Sequence, residues 1–106
     1  MDRKKNEIID LLKIFLAKVE KTTKIKKAIL FGSQAVGKEK ADSDVDLMII
    51  SEDFENKKSY KRSPHMYILW DLPYDADIIC LTPKEFEKKK KQIGIVRQAV
   101  EEGIEL

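Results

Sequence analysis

The segment from Ala28 to Ile50 constrains this chain more than any other part. It holds an apolar run, Ala28-Ile29-Leu30-Phe31, a glycine-serine turn at Gly32-Ser33, and a polar stretch ending in Asp42-Ser43-Asp44-Val45-Asp46. A second apolar run, Leu47-Met48-Ile49-Ile50, follows directly. Short apolar runs bounded by turn residues have the length of buried strands. Gly32 permits a sharp exit from the first strand, because glycine enters the left-handed backbone region without a Cβ penalty. That exit places Ser33 at the start of a short helix, where backbone N–H groups attract phosphate. Side chains alternate along a strand, so Asp44 and Asp46 project to one side if the second strand includes both. Two such carboxylates raise one another's pKa and cost stability, whereas a divalent cation inverts that balance and holds both ionised. Phosphate and metal are therefore expected at one place.

Other readings of the same residues compete. Gly32, Gly37 and Lys38 satisfy the first seven positions of the phosphate-binding pattern G-x-x-x-x-G-K-[ST]. Glu39 breaks it, because a hydroxyl must stand there to coordinate magnesium, and 39–46 lacks the apolar stripe of the long helix that should follow. A calcium loop would use Asp42, Asp44, Asp46 and Asp53, but Leu47 occupies the position that demands glycine. The blandest alternative is a polar turn feeding a strand, with Asp42 and Ser43 making local hydrogen bonds.

The joint pattern, G-S-x-A-x-G from Gly32 followed by S-D-x-D-L from Ser43, resembles the signature of the DNA polymerase β nucleotidyltransferase superfamily, in particular its minimal nucleotidyltransferases. The resemblance is strong over 28–50 and weaker over Asp77-Ile78-Ile79-Cys80-Leu81-Thr82 and the ending Ala99-Val100-Glu101-Glu102-Gly103-Ile104. The chain departs from the family at Gln34 and Val36, where basic residues are usual; Lys38 and Lys40 are the nearby cations. The resemblance implies Mg²⁺ as cofactor and a third carboxylate from a neighbouring strand. Asp75 and Asp77 are the choices, and Asp77 is preferred because it directly precedes the apolar run Ile78-Ile79-Cys80-Leu81. Asp44, Asp46 and Asp77 would then be both metal ligands and catalytic residues, with Gly32 and Ser33 holding the β- and γ-phosphates. The implied reaction moves a nucleoside monophosphate, AMP from ATP, onto a hydroxyl. Small members of the family are similar to the antitoxin half of a pair whose partner is a helical HEPN ribonuclease, so a HEPN protein is the implied acceptor. A non-catalytic antitoxin that acts by contact, and a small-molecule transferase of the antibiotic-modifying kind, are the alternatives.

Length and charge bound the rest. At 106 residues the chain is expected to form one nucleotidyltransferase domain over 1–106, with room for a single core and none for a second acceptor-binding domain. A net charge of +2 gives no electrostatic case for direct nucleic-acid binding. Lys88-Lys89-Lys90-Lys91 lacks interleaved aromatics and is read as a solvated helix face. No apolar stretch approaches the ~20 residues that span a bilayer. The lone Cys80 sits on the strand face opposite Asp77 and is expected in the core, as in a reducing cytoplasm. Oligomeric state, including a homo-oligomer, stays open.

The remaining pattern alternates helices with strands. An amphipathic helix is expected over 5–20, with Ile8, Leu11, Leu12, Phe15 and Val19 on one face and Ile14 and Leu16 widening it. A helix from Ser63-Pro64 to Trp70 would cross over between the strand ending near Ser51 and that beginning near Asp75. Thr82 and Pro83 look like the cap and first residue of another helix, and a last helix over 95–102 stops at Gly103. The expected fold is α/β, of the α+β kind: a small mixed sheet of three or four strands flanked by helices. His65 is expected at a surface or helix end, and Arg62 to be solvent-exposed, though its fork would suit a triphosphate.

Overall fold

The two apolar runs lie side by side as strands at the centre of the sheet in the computed structural model, which describes residues 3–32, 35 and 44–106. In chain order the elements are α1 (Arg3–Val19), β1 (Lys27–Phe31), β2 (Val45–Ile50), α2 (Ser63–Leu69), β3 (Ala76–Leu81), α3 (Pro83–Lys89), α4 (Ile95–Glu102) and β4 (Ile104–Glu105). Short 3-10 turns at Glu52–Phe54 and Ser59–Lys61 precede α2. Among the described residues the sheet has four strands in the order β3-β2-β1-β4. β1 runs antiparallel to both β2 and β4, and β2 runs parallel to β3. A parallel neighbour requires a long crossover, which the chain between β2 and β3 supplies through α2, as expected.

Both sheet faces are covered, which is why the strands read as continuous apolar runs. Leu30, Val45, Leu47, Ile49, Ile78 and Cys80 point to one side and meet Ile8, Leu12, Phe15 and Val19 of α1 and Met66 of α2. Those α1 residues recur at helical spacing and are fully buried. Ile29, Phe31, Met48, Ile50 and Leu81 point to the other side and meet Phe86 of α3 and Val96 and Ala99 of α4. α3 starts as the sequence indicates and adds a complete capping box: the Thr82 hydroxyl accepts from the Glu85 N–H, and the Glu85 carboxylate accepts from the Thr82 N–H.

One expectation changes, and the end of the chain adds two details. Leu16 packs at the edge of the core but Ile14 is 62% exposed, so α1 buries a narrower stripe than its composition suggested. β4 is the fourth strand of a sheet expected to have three or four, but its place was not legible: two residues carry no periodicity, and its pairing with β1 exists only in the folded chain. Gly103 ends α4 with a φ of −80°, outside the left-handed region. The position demands glycine because a Cβ there would lie 2.3 Å from the Ala99 carbonyl oxygen and 2.6 Å from Ile29 Cγ2.

Candidate active site

The parallel register of β2 and β3 sets Asp46 opposite Asp77, while the antiparallel register of β1 sets Phe31 opposite Asp46 on its other side. Register partners share a face, and adjacent strands lie about 4.8 Å apart, so the two carboxylates stand side by side. They occupy the same face as Met48, Ile50 and Leu81, at the end of the sheet beyond the cover given by α3 and α4. Asp46 is half-buried there and Asp77 is exposed. Asp44 lies one residue before β2 and is exposed, so the strand alternation that predicted its direction does not reach it. Asp75 also precedes its strand; its carbonyl accepts from the Val45 N–H at 2.8 Å, and Asp77 is the residue paired with Asp46.

Gly32 closes the site from the β1 side. Its φ is +76°, and an ideal Cβ on it would fall 2.1 Å from Asp46 Oδ2. The Asp46 carboxylate therefore lies directly over the Gly32 backbone, in space that only a glycine leaves. The Gly32 carbonyl accepts from the N–H of Ala35, which is buried in the core. Sequence reasoning gave Gly32 a turn and a phosphate; its contact with Asp46 depends on register and has no signature in a single sequence. Ser33, Gln34, Val36, Gly37, Lys38, Lys40, Asp42 and Ser43 lie outside the described residues.

The electrostatics follow from the placement. Burial pushes the Asp46 carboxyl above its ordinary pKa of 3.8, and the neighbouring Asp77 and then Asp44 push it the same way. Three hard oxygen donors that repel one another at one sheet end are the donor set a divalent cation would relieve. Among the described residues, however, no three His, Cys, Asp or Glu side chains converge on one point as a ready ligand set. Asp46 with Asp77 is the pair whose register favours shared ligation. Calcium-loop geometry is excluded, because Val45–Ile50 is a regular strand.

Two other residues take structural roles, Arg62 against expectation and His65 at the helix start where it was expected. Arg62 is 6% exposed, not solvated, and is unable to reach a triphosphate as placed. Its guanidinium donates to both carboxylate oxygens of Glu85, at 2.6 and 3.3 Å, and to the carbonyls of Lys57 and Cys80 at 2.9 and 3.3 Å. A buried cation needs such saturation, and a run of polar neighbours in sequence could not reveal it. His65 Nε2 lies 2.9 Å from Thr22 Oγ1 and ties α2 to the end of α1, a structural role. Cys80 is buried as expected, its thiol pushed up to about 12 mainly by burial. A cleft of about 220 Å³ lined by Lys24, Ile25, Lys26, Glu52 and Asp53 lies at the opposite end of β1 and β2, away from the carboxylates.

A family model described as Nucleotidyltransferase domain matches residues 8–106. A search of curated proteins found no match. Among solved structures, the chain is similar to a candidate nucleotidyltransferase from Sulfolobus solfataricus, with a TM-score of 0.70, 17% identity, and coverage of 95% of this chain and 80% of that one. At this identity the likeness is one of fold. A second candidate nucleotidyltransferase matches with a TM-score of 0.48 and 22% identity over 78% of this chain and 87% of that one. Among the described residues no helix is long and apolar enough to cross a membrane.

Proposed function

Because the chain belongs to the nucleotidyltransferase domain family, we propose that it transfers a nucleoside monophosphate, AMP from ATP, onto a hydroxyl at the Asp44, Asp46 and Asp77 end of the sheet. The observation that carries this is the pairing of Asp46 with Asp77, at an open sheet end where Asp46 resists ionisation. Asp44 and Asp46 would hold Mg²⁺ with Asp77 completing the site, and Gly32 and Ser33 would bind the β- and γ-phosphates. The chemistry such a cation would supply there is neutralisation of the charge that develops as pyrophosphate departs. Asp77 would orient the acceptor hydroxyl and take its proton as the oxygen attacks the α-phosphorus. The bond from that phosphorus to the departing pyrophosphate then breaks. The proposed acceptor is a tyrosine or other hydroxyl of a HEPN-family partner, which makes the chain an antitoxin; that reading is supported by the resemblance of 28–50 to minimal nucleotidyltransferases.

A second reading draws on Gln34 and Val36, which stand where the family usually carries basic residues: the chain neutralises such a partner by contact, without transfer. Incubation with labelled ATP, Mg²⁺ and the product of the neighbouring reading frame separates the two. Transfer predicts label on a partner hydroxyl, lost in Asp46→Ala and Asp77→Ala variants that still fold. Tight complex formation without label selects the contact reading, and label retained by the Asp46→Ala variant overturns the assignment of the site.

A further inference from the structure

β3, the strand that carries Asp77, lies at the edge of the sheet. Its inner side is held by β2: the Asp75 carbonyl accepts from the Val45 N–H at 2.8 Å, and the Leu81 carbonyl from the Ser51 N–H at 3.0 Å. Backbone groups alternate in direction along a strand, so the odd-numbered residues of β3 face β2, and Ile78 and Cys80 turn their N–H and C=O outward. Outward groups on an edge strand are ordinarily left to water or to a chance partner strand. Here side chains of the crossover take one at each place. The Ile78 N–H donates to the Tyr67 hydroxyl oxygen at 2.9 Å, and the Cys80 carbonyl accepts from Arg62 Nη1 at 3.3 Å.

The two contacts differ in what they can control. Arg62 sits in the buried half of the edge, fixed by Glu85. Tyr67 is 43% exposed and meets the strand at the first residue after Asp77. The Asp77 side chain is exposed, so the backbone on its two sides decides where its carboxylate stands relative to Asp46. We propose that Tyr67 is a positioning residue for Asp77, its phenol oxygen clasping the outer edge of β3 and keeping Asp77 level with Asp46. This rests on the transferase reading above.

The test is Tyr67→Phe in the full chain, which removes the oxygen and keeps the ring, with the exposed neighbour changed in Ile68→Ala as control. Three quantities are measured: amide hydrogen exchange of Ile78 against Met48 in the central strand, Mn²⁺ affinity by titration, and kcat and KM for nucleotide transfer. In Tyr67→Phe the Ile78 exchange rate rises while that of Met48 holds. Mn²⁺ affinity and kcat each fall about tenfold, the low end for a group that orients a metal ligand, and KM for the nucleotide stays at the parent value. The control matches the parent throughout. Unchanged Ile78 exchange overturns the clasp. Faster exchange with parental Mn²⁺ affinity and kcat overturns the positioning role and leaves Tyr67 as edge cover. A parent protein that neither binds Mn²⁺ nor transfers nucleotide overturns the transferase reading and the positioning role together, while the exchange data still report whether the clasp exists.

Discussion

Changing Gly32→Ala should damage the fold and the site together, by an amount the geometry sets. The φ of +76° is the first cost: an L-residue with a Cβ in that region loses about 1–2 kcal/mol. The second is steric. The new methyl would fall 2.1 Å from Asp46 Oδ2, 3.1 Å from Cγ and 3.4 Å from Cβ, so the carboxylate must swing off its present rotamer. A displaced rotamer costs about 0.5–1.5 kcal/mol. The sum centres near about 2.5 kcal/mol, which for a domain of this size lowers the melting temperature by about 10–20 °C. Thermal unfolding followed by circular dichroism reads that shift, and repeating it with Mn²⁺ reads the site: the parent gains stability from the ion and Gly32→Ala does not. A cycle with Asp46→Ala isolates the clash, because the added methyl has less to strike once the carboxylate is gone. The double variant should recover the rotamer part, a coupling of about 0.5–1.5 kcal/mol. A Gly32→Ala protein that melts with the parent, or a coupling of zero, would refute the claim that Gly32 is glycine because Asp46 lies over it.

Asp46→Asn should stabilise the metal-free protein. The folded-state pKa of Asp46 is raised, so the unfolded chain ionises first and stability is lost as pH climbs from about 3.8 through the folded value. At pH 7 the variant should melt a few degrees above the parent and at pH 3 level with it; a lower melting point at pH 7 would show that burial and repulsion are not what Asp46 feels. Arg62→Met should cost about 2–3 kcal/mol in urea unfolding, below the usual range for a broken buried pair because Glu85 is 38% exposed. Its hydrogen bond to Arg62 is the main reason the Glu85 pKa is lowered, so that share of stability is present above about 4.5 and disappears as pH falls through the folded value. The gap between variant and parent should therefore narrow at pH 3, and an equal gap at both pH values would count against the ion pair. The Cys80 thiol, pushed up to about 12 by burial, should resist a thiol reagent at pH 8 and react at the rate of global unfolding; rapid labelling of native protein would place Cys80 outside the core.

The sharp exit at Gly32 and the carboxylate entering the second apolar run were legible because each is a local signal, resting on strand length, backbone permissiveness and charge spacing. The helix at 95–102 and the cap at Thr82 were legible for the same reason, through periodicity and capping chemistry that act within a turn or two. Arg62 was misread because its fate depends on Glu85 and on the carbonyls of Lys57 and Cys80, brought to it by the crossover. The place of β4 was not legible because two residues become a strand only when β1 is beside them.

The sequence alone thus determined three of the four strands, the crossover helix and a set of acidic candidates, since these follow from interactions between near neighbours along the chain. Only the tertiary structure decided that Asp77 faces Asp46, that Gly32 underlies the carboxylate, and that Tyr67 holds the edge of β3. Register and edge contacts join residues 11 to 31 positions apart, and they are chosen by how both sheet faces are buried at once.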